Sequence, residues 1–449
     1  MKSNSSSLLV SLDGLSASDF ETLKKSLPLT APYLNEGTAS VLDAGILSSC
    51  QAIWAEVLTG VPWHSNGCSG YSFPGDSLNQ PVTCTEKNLT APLRLLDADA
   101  PHFVLNTPLL LPQIDNRIWL SDGSLPLAVS VSPRTLEKEE PFRGYIPRPA
   151  NYLVQMLERT DAVLTRLVDV EKKRFECALN LIRNHPDSNG IIRITAFEHL
   201  AHAIGADFLS SKNTRYSKTI SDLLSSLDSW LSEVFASGRE ILIISPFSHI
   251  PCRAQLNINS LLEKGGYLSL TRPTHDNTQN RRLAAMDVLK DQNDPMGELE
   301  VLLYKRGLAK QLRFDTTKTV AASPSAGCIW LNRDSRFKDG KSMNADEARK
   351  KILEIKQFLE DNLSRVFDDN FAIFTRSDEG NSIKPNPATP DIYVYIAQVE
   401  MHNNYEPLYG TGDKPRSVHH PRGFFWTTRE PLESSDSYGD HLPTTKVLC

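Results

Sequence analysis

IIRITAF at residues 191–197 and EILIISPF at 240–247 decide the fold class of this chain. Each is a short, nearly unbroken apolar run, as expected of a strand buried on both faces in a parallel sheet. Between them the segment Ser217–Ala236 carries apolar residues at helical spacing, so the three together read as a strand–helix–strand unit. Working outward, LLVSL at 8–12 is a third such run and ends at Asp13-Gly14, and FVLNTPLLLP around 103–112 contains a fourth. The spacing predicts helices over Ser18–Glu36, Ser48–Thr59, Asn151–Asn184 and 345–362, with further strands at 328–331, 391–394 and 423–427. Strands interleaved with helices predict an α/β fold: a mainly parallel central sheet with helices on both faces. Functional groups are then expected at the C-terminal strand edges.

The chain has 449 residues, 48 Lys and Arg against 54 Asp and Glu, a net charge of −6 and a pI near 6.0. That balance argues against a polyanion-binding stripe, and so against nucleic acid as a partner. With 40% hydrophobic and 23% charged residues the composition is globular, which excludes disordered and fibrous classes. No window reaches the roughly 18 consecutive apolar residues of a membrane span, and the N-terminal run stops at Asp13 without the features of a secretory signal. The seven cysteines are odd in number, widely spaced and free of CxxC pairs, the pattern of reduced thiols in a cytoplasm.

Several ordered motifs resemble the alkaline phosphatase superfamily, and within it the type I phosphodiesterase and nucleotide pyrophosphatase-like phosphohydrolases. SLDG (11–14) resembles the strand whose Asp binds a metal, and PYLNEG (32–37) the helix and glycine that follow. LTGVPWHSNG (58–67) is similar to that family's TG-x-x-P-x-x-H-G stretch, FEHLAHAIG (197–205) to its D-x-x-x-H-x-x-G, and LIIS (242–245) to the strand before its S-D-H-G. LNINSLLEKGGYL (256–268), LNRDSR (331–336), PDI (390–392) and HHPRG (419–423) match in the same order. The resemblance implies a core formed by residues 1–264 and 386–449, with a cap-like insertion at 265–385.

The resemblance also implies hydrolysis of a phosphate ester or phosphodiester, in which two divalent metals activate a nucleophile and neutralise phosphoryl oxygens. Carried over position by position, it makes Asp13, Glu198, His202 and His419 (or its neighbour His420) metal ligands and places Cys50 where the nucleophile stands. At Ser245-Pro246-Phe247 the chain departs from S-D-H-G, and neither Pro nor Phe ligates a metal. The expected cofactor is therefore one divalent ion, zinc, rather than two. Pro246 and Phe247 are expected to fill the space of the second, unless His249 and Cys252 move in. Cys50 lies in a run similar to the C-x-[PA]-x-R of sulfatases, but Trp54 stands in place of the Arg, against conversion to formylglycine. At a helix N-terminus beside Asp13 its thiol is expected to have a lowered pKa; it is open to attack phosphorus, to bind metal or to fill space. Arg253, Arg281, Arg282, Arg333 and Arg336 are either a clasp for a small phosphorylated or other anionic substrate or a solvated face. The competing readings are a degenerate relative that binds an anionic ligand or partner, and a biosynthetic tailoring enzyme using Cys50.

Overall fold

The structure, a computed structural model, describes residues 6–45, 49–96, 102–112, 117–123, 130–147, 160–210, 215–271, 313–325, 327–368, 370–375, 388–402, 409–410 and 417–428. Its centre is an eight-stranded sheet. From one edge the strands run Thr38–Asp43, Arg422–Thr427, Glu240–Ser245, Ser7–Leu12, Asn189–Ile194, His102–Leu105, Ile118–Leu120 and Val131–Ser132. The five strands from Glu240–Ser245 to Ile118–Leu120 are parallel, and both edges are finished by antiparallel strands.

Period-two packing on both faces explains why these strands read as continuous apolar runs. Leu8, Val10, Leu12, Ile192, Ile194, Ile241, Ile243, Phe424 and Trp426 face one apolar cluster, which contains side chains of the helices Ala17–Lys24, Thr160–Asn184, Ala196–Ile204 and Ser217–Ala236. Leu9, Ile191, Leu242, Ile244 and Phe425 face the other, which contains those of Cys50–Thr59, Ile258–Lys264 and Ala345–Phe367. Burial of each such side chain contributes on the order of 1.5–3 kcal/mol, which fixes the register of the central strands. The helix Cys50–Thr59 stops at Gly60, whose positive φ of 64° closes it.

The second cluster also contains a four-stranded sheet ordered Ala321–Ser325, Cys328–Leu331, Ile392–Ile396 and Phe371–Thr375. The strand Ile392–Ile396 pairs within this sheet although it lies beyond residue 386, the division expected from the sequence. The helix expected over Asn151–Asn184 is described from Thr160, and most of the polar, basic segment at 269–312 lies outside the described residues. Among the described residues no helix is long and apolar enough to cross a membrane.

Candidate metal centre

Three backbone devices at the C-terminal edge of the central sheet assemble the site. Asp13 continues the strand Ser7–Leu12, its N–H donating to the Ile194 carbonyl at 3.1 Å. Gly14 follows with φ +103°, and a Cβ there would lie 2.8 Å from the Glu198 backbone nitrogen and 3.1 Å from His249 Nδ1, so only glycine permits this approach. Ser245 ties the turn after its strand to the same loop. Its hydroxyl accepts from the N–H groups of Gly14 at 3.1 Å and Leu15 at 3.0 Å, and donates to the Phe247 carbonyl at 2.7 Å.

The strand Ser248–Pro251 pairs antiparallel with Ser417–His420, with His249 directly opposite His419. The helix Ala196–Ile204 presents His202 to the same point, four residues after Glu198. His202 Nε2 is 3.2 Å from His419 Nε2 and 3.3 Å from His249 Nε2. Burial, reinforced by His419, lowers the His202 pKa to about 4, and burial with His202 and His419 holds His249 well below its ordinary range. His202 and His249 are therefore neutral near pH 7. The His249 Nδ1 faces the Gly14 carbonyl at 3.4 Å; a carbonyl only accepts, so the proton belongs on Nδ1 and the Nε2 lone pair points to the cluster.

The donor set fits a metal ion. One Nε2–H cannot satisfy a ring nitrogen facing two others, whereas a cation accepts all their lone pairs at once. A tetrahedral ion with bonds of about 2.0–2.1 Å sets its nitrogen ligands about 3.3–3.4 Å apart, close to the spacings between these rings. Glu198 Oε1 lies 3.6 Å from His419 Nε2. The side chains of Glu198 and His419 keep 15% and 16% exposure, so the cluster meets solvent on this side. Of the residues that resemblance grouped as ligands, His202 and His419 are thus together and Glu198 borders them. His249 joins them, while Cys252 turns to the Ala254 carbonyl at 3.3 Å and the His420 ring accepts the Arg422 N–H at 3.3 Å.

Asp13 lies in a second, adjoining group with Cys50 and Glu198. There the Arg193 guanidinium joins all three: Nε donates to Asp13 Oδ2, and Nη2 donates to Cys50 Sγ at 3.0 Å and to Glu198 Oε2 at 2.9 Å. Asp13 also accepts from the Trp54 indole N–H at 2.9 Å and from the Ser11 hydroxyl. Burial raises the Asp13 pKa despite Arg193. Burial acts on Glu198 in the same sense, but Arg193 and His419 reverse it and hold this carboxyl well below its usual range.

Two expectations need correction. Cys50 is the first residue of its helix, yet its thiol is pushed well above its ordinary pKa, because burial and the carboxylates of Glu198, Asp13 and Asp122 outweigh Arg193. Phe247 packs its ring against His419, with centroids 4.5 Å apart; the space among Asp13, Cys50 and Glu198 is taken by Arg193 instead. Arg193 was legible as the one charge inside IIRITAF, and Trp54 as the indole replacing an expected arginine. Arg333 and Arg336 are bound to Asp391 beside the smaller sheet, the Arg253 N–H donates to the Gln398 carbonyl, and Arg281 and Arg282 lie outside the described residues.

Among solved structures, phosphonoacetate hydrolase from Sinorhizobium meliloti 1021 in complex with phosphonoacetate is similar over 99% of this chain and 94% of its own, with a TM-score of 0.54 at 13% identity. The chain has the alkaline phosphatase-superfamily fold. The same hydrolase with phosphonoformate gives a TM-score of 0.53 over the same shares at 13% identity. Human ectonucleotide pyrophosphatase/phosphodiesterase 5 is a weaker likeness, at 0.44 and 10% identity over 94% of this chain and 87% of that one. No family model and no curated protein matches the sequence.

Proposed function

We propose that the chain is a hydrolase of a small phosphate ester, phosphodiester or phosphonate that works with one divalent ion held by His202, His249 and His419. The observation that carries this reading is the spacing of three imidazole nitrogens, 3.2 and 3.3 Å between neighbours, around one point at the sheet edge. A nitrogen-rich donor set favours zinc over magnesium or calcium. Glu198, on the solvent side, is placed to complete the set or to leave a position open for substrate. A bound zinc ion supplies Lewis acidity to a phosphoryl oxygen.

The remaining chemistry belongs to the chain. Cys50 Sγ is the candidate nucleophile, held by the Arg193 guanidinium; Asp13, whose pKa burial raises, has a carboxylate oxygen within 4.8 Å to take its proton, while Glu198 stays ionised and holds Arg193 in place. Trp54 and Ser11 keep Asp13 oriented toward this group. Phosphonoacetate bound to the Sinorhizobium hydrolase supports including phosphonates in the substrate class. The six cysteines among the described residues are all buried and free, which supports a reducing, cytoplasmic setting.

Elemental analysis of the purified protein, with a panel of phosphomonoesters, diesters and phosphonates, tests the reading. One zinc per chain is expected. Its removal by chelator should abolish turnover, zinc should restore it, and His249→Ala should lose both metal and turnover. Protein without metal that stays inert after zinc is added overturns the proposal. The raised pKa of Cys50 favours a second reading, in which the site binds a phosphorylated ligand without cleaving it. One zinc, phosphate binding and no turnover is the result that selects it.

A further inference from the structure

The group adjoining the histidines has the composition of a metal site. Asp13, Cys50 and Glu198 each offer one ligand atom, all within 4.8 Å of one another. A carboxylate–thiolate–carboxylate set binds divalent ions, especially soft ones such as cadmium. In this chain a side chain of the protein already sits there. Arg193 stands on the central strand Asn189–Ile194, two residues from Ile191 and so on the same face, toward the helix Cys50–Thr59. It is 4% exposed, its guanidinium carbon lies 5.8 Å from the Trp54 ring centre, and its N–H groups reach all three donor residues.

We infer that Arg193 is a built-in cation: its guanidinium occupies what would otherwise be an Asp13–Cys50–Glu198 metal site. The protein thus carries one tethered charge beside the Cys50 sulfur and has room for one exchangeable ion, at the histidines. An ion entering the tethered position would have to expel the guanidinium. The guanidinium is buried and bonded to all three donor residues, so its expulsion would break each of these bonds and leave a charge to be paired elsewhere. Substitution changes the chemistry of the position. A guanidinium carries one positive charge, donates hydrogen bonds in a planar fork and accepts no lone pair, so it neutralises carboxylates and orients an oxyanion without ionising a bound water or thiol. It also cannot be removed by a chelator. The inference stands beside the functional reading above and does not require the histidine site to be loaded.

Cadmium titration tests it, because a Cys–Cd bond adds ultraviolet charge-transfer absorption and histidine ligation does not. Wild-type protein, Arg193→Ala, Arg193→Gln and Arg193→Ala/Cys50→Ala are titrated with Cd2+, and bound ions per chain are counted after desalting. Wild type should bind at the histidines without a thiolate band. Arg193→Ala should bind one ion more than wild type and show the band, and adding Cys50→Ala should remove that band. Arg193→Gln keeps a polar side chain against the carboxylates and serves if the alanine variant fails to fold; it should gain the same ion. A folded variant with no extra ion overturns the inference. So does a Cys50-dependent band in wild type at stoichiometric cadmium, a result that needs no arginine variant. If wild type binds no ion but Arg193→Ala binds one with the band, the histidine reading fails and the arginine inference holds.

Discussion

Acidification of the metal-free protein is the most informative perturbation of the histidine cluster. His202 has an ordinary pKa of 6.5 and a folded value of about 4, chiefly because burial opposes its charged form and His419 adds to the effect. The unfolded chain therefore binds this proton at a higher pH than the folded chain. Stability contributed by the neutral ring is complete above about pH 6.5, is lost progressively as pH falls toward 4, and is gone below that. At pH 5 the unfolded state is 1.5 units below its midpoint, which amounts to about 2 kcal/mol at 1.36 kcal/mol per unit. The ring keeps some contact with solvent, so a loss of roughly 1–2 kcal/mol is expected. His249, held low by burial and its two neighbours, adds a loss in the same direction. The assay is urea unfolding at pH 7 and pH 5 after chelation, for wild type and His202→Asn. Other titrating groups are common to both proteins, so wild type should lose about 1–2 kcal/mol more than the variant. An equal loss in both would show that His202 takes up its proton without penalty, and the picture of a buried neutral cluster would fail.

Trp54→Phe keeps the ring packing but removes the indole N–H that Asp13 accepts at 2.9 Å; it should cost about 1–3 kcal/mol in urea unfolding with an unchanged m-value. Cys50 should react slowly with iodoacetamide at pH 7.5, since burial and its carboxylate neighbours raise its pKa; mass spectrometry showing it labelled ahead of surface-accessible control thiols would contradict that. Gly14→Ala meets both a positive φ of 103° and a Cβ 2.8 Å from the Glu198 nitrogen, so it should cost on the order of 1–3 kcal/mol and weaken zinc binding in calorimetry by parting Glu198 from His249.

The sheet was legible because its strands are buried on both faces. LLVSL, IIRITAF and EILIISPF read as runs that only a parallel core accommodates, and they lie side by side in the structure. The single helix expected over Ser18–Glu36 is divided. The structure has Ala17–Lys24 and the short Ala31–Leu34 there, because Pro28 and Pro32 punctuate the stretch. At the site, position-by-position reading reaches residues that keep their place in a motif, such as His202 and His419. It does not fix His249, whose arrival depends on a two-stranded pairing with Ser417–His420 more than 160 residues away in sequence. Antiparallel register puts His249 opposite His419, and nothing local to Ser245-Pro246-Phe247 states that register.

Arg193 and Phe247 answer the same problem from two sides. Where the resemblance expects the Asp and His of S-D-H-G, this chain has Pro246 and Phe247, which cannot ligate an ion, yet Asp13 is fully buried at the strand end and Glu198 lies close beside it. A pair of carboxyl groups within 4.8 Å of each other in a site closed by Trp54 requires a counter-charge, or at least one of them must hold its proton. The chain supplies that charge from the buried central strand Asn189–Ile194, where an arginine is otherwise hard to account for. Pro246 and Phe247, which offer no ligand atom, and the tethered charge of Arg193 thus stand together at this sheet edge. Phe247 covers the histidine side with an apolar ring, and Arg193 neutralises the carboxylate side. Restoring Asp at 246 and His at 247 alone would add a buried carboxylate and imidazole while Arg193 still fills the carboxylate group. Such a variant should bind no more zinc than wild type until Arg193 is also removed, and elemental analysis of the two proteins side by side distinguishes the cases. A second zinc in Pro246→Asp/Phe247→His with Arg193 intact would mean that the guanidinium does not hold the position against an ion.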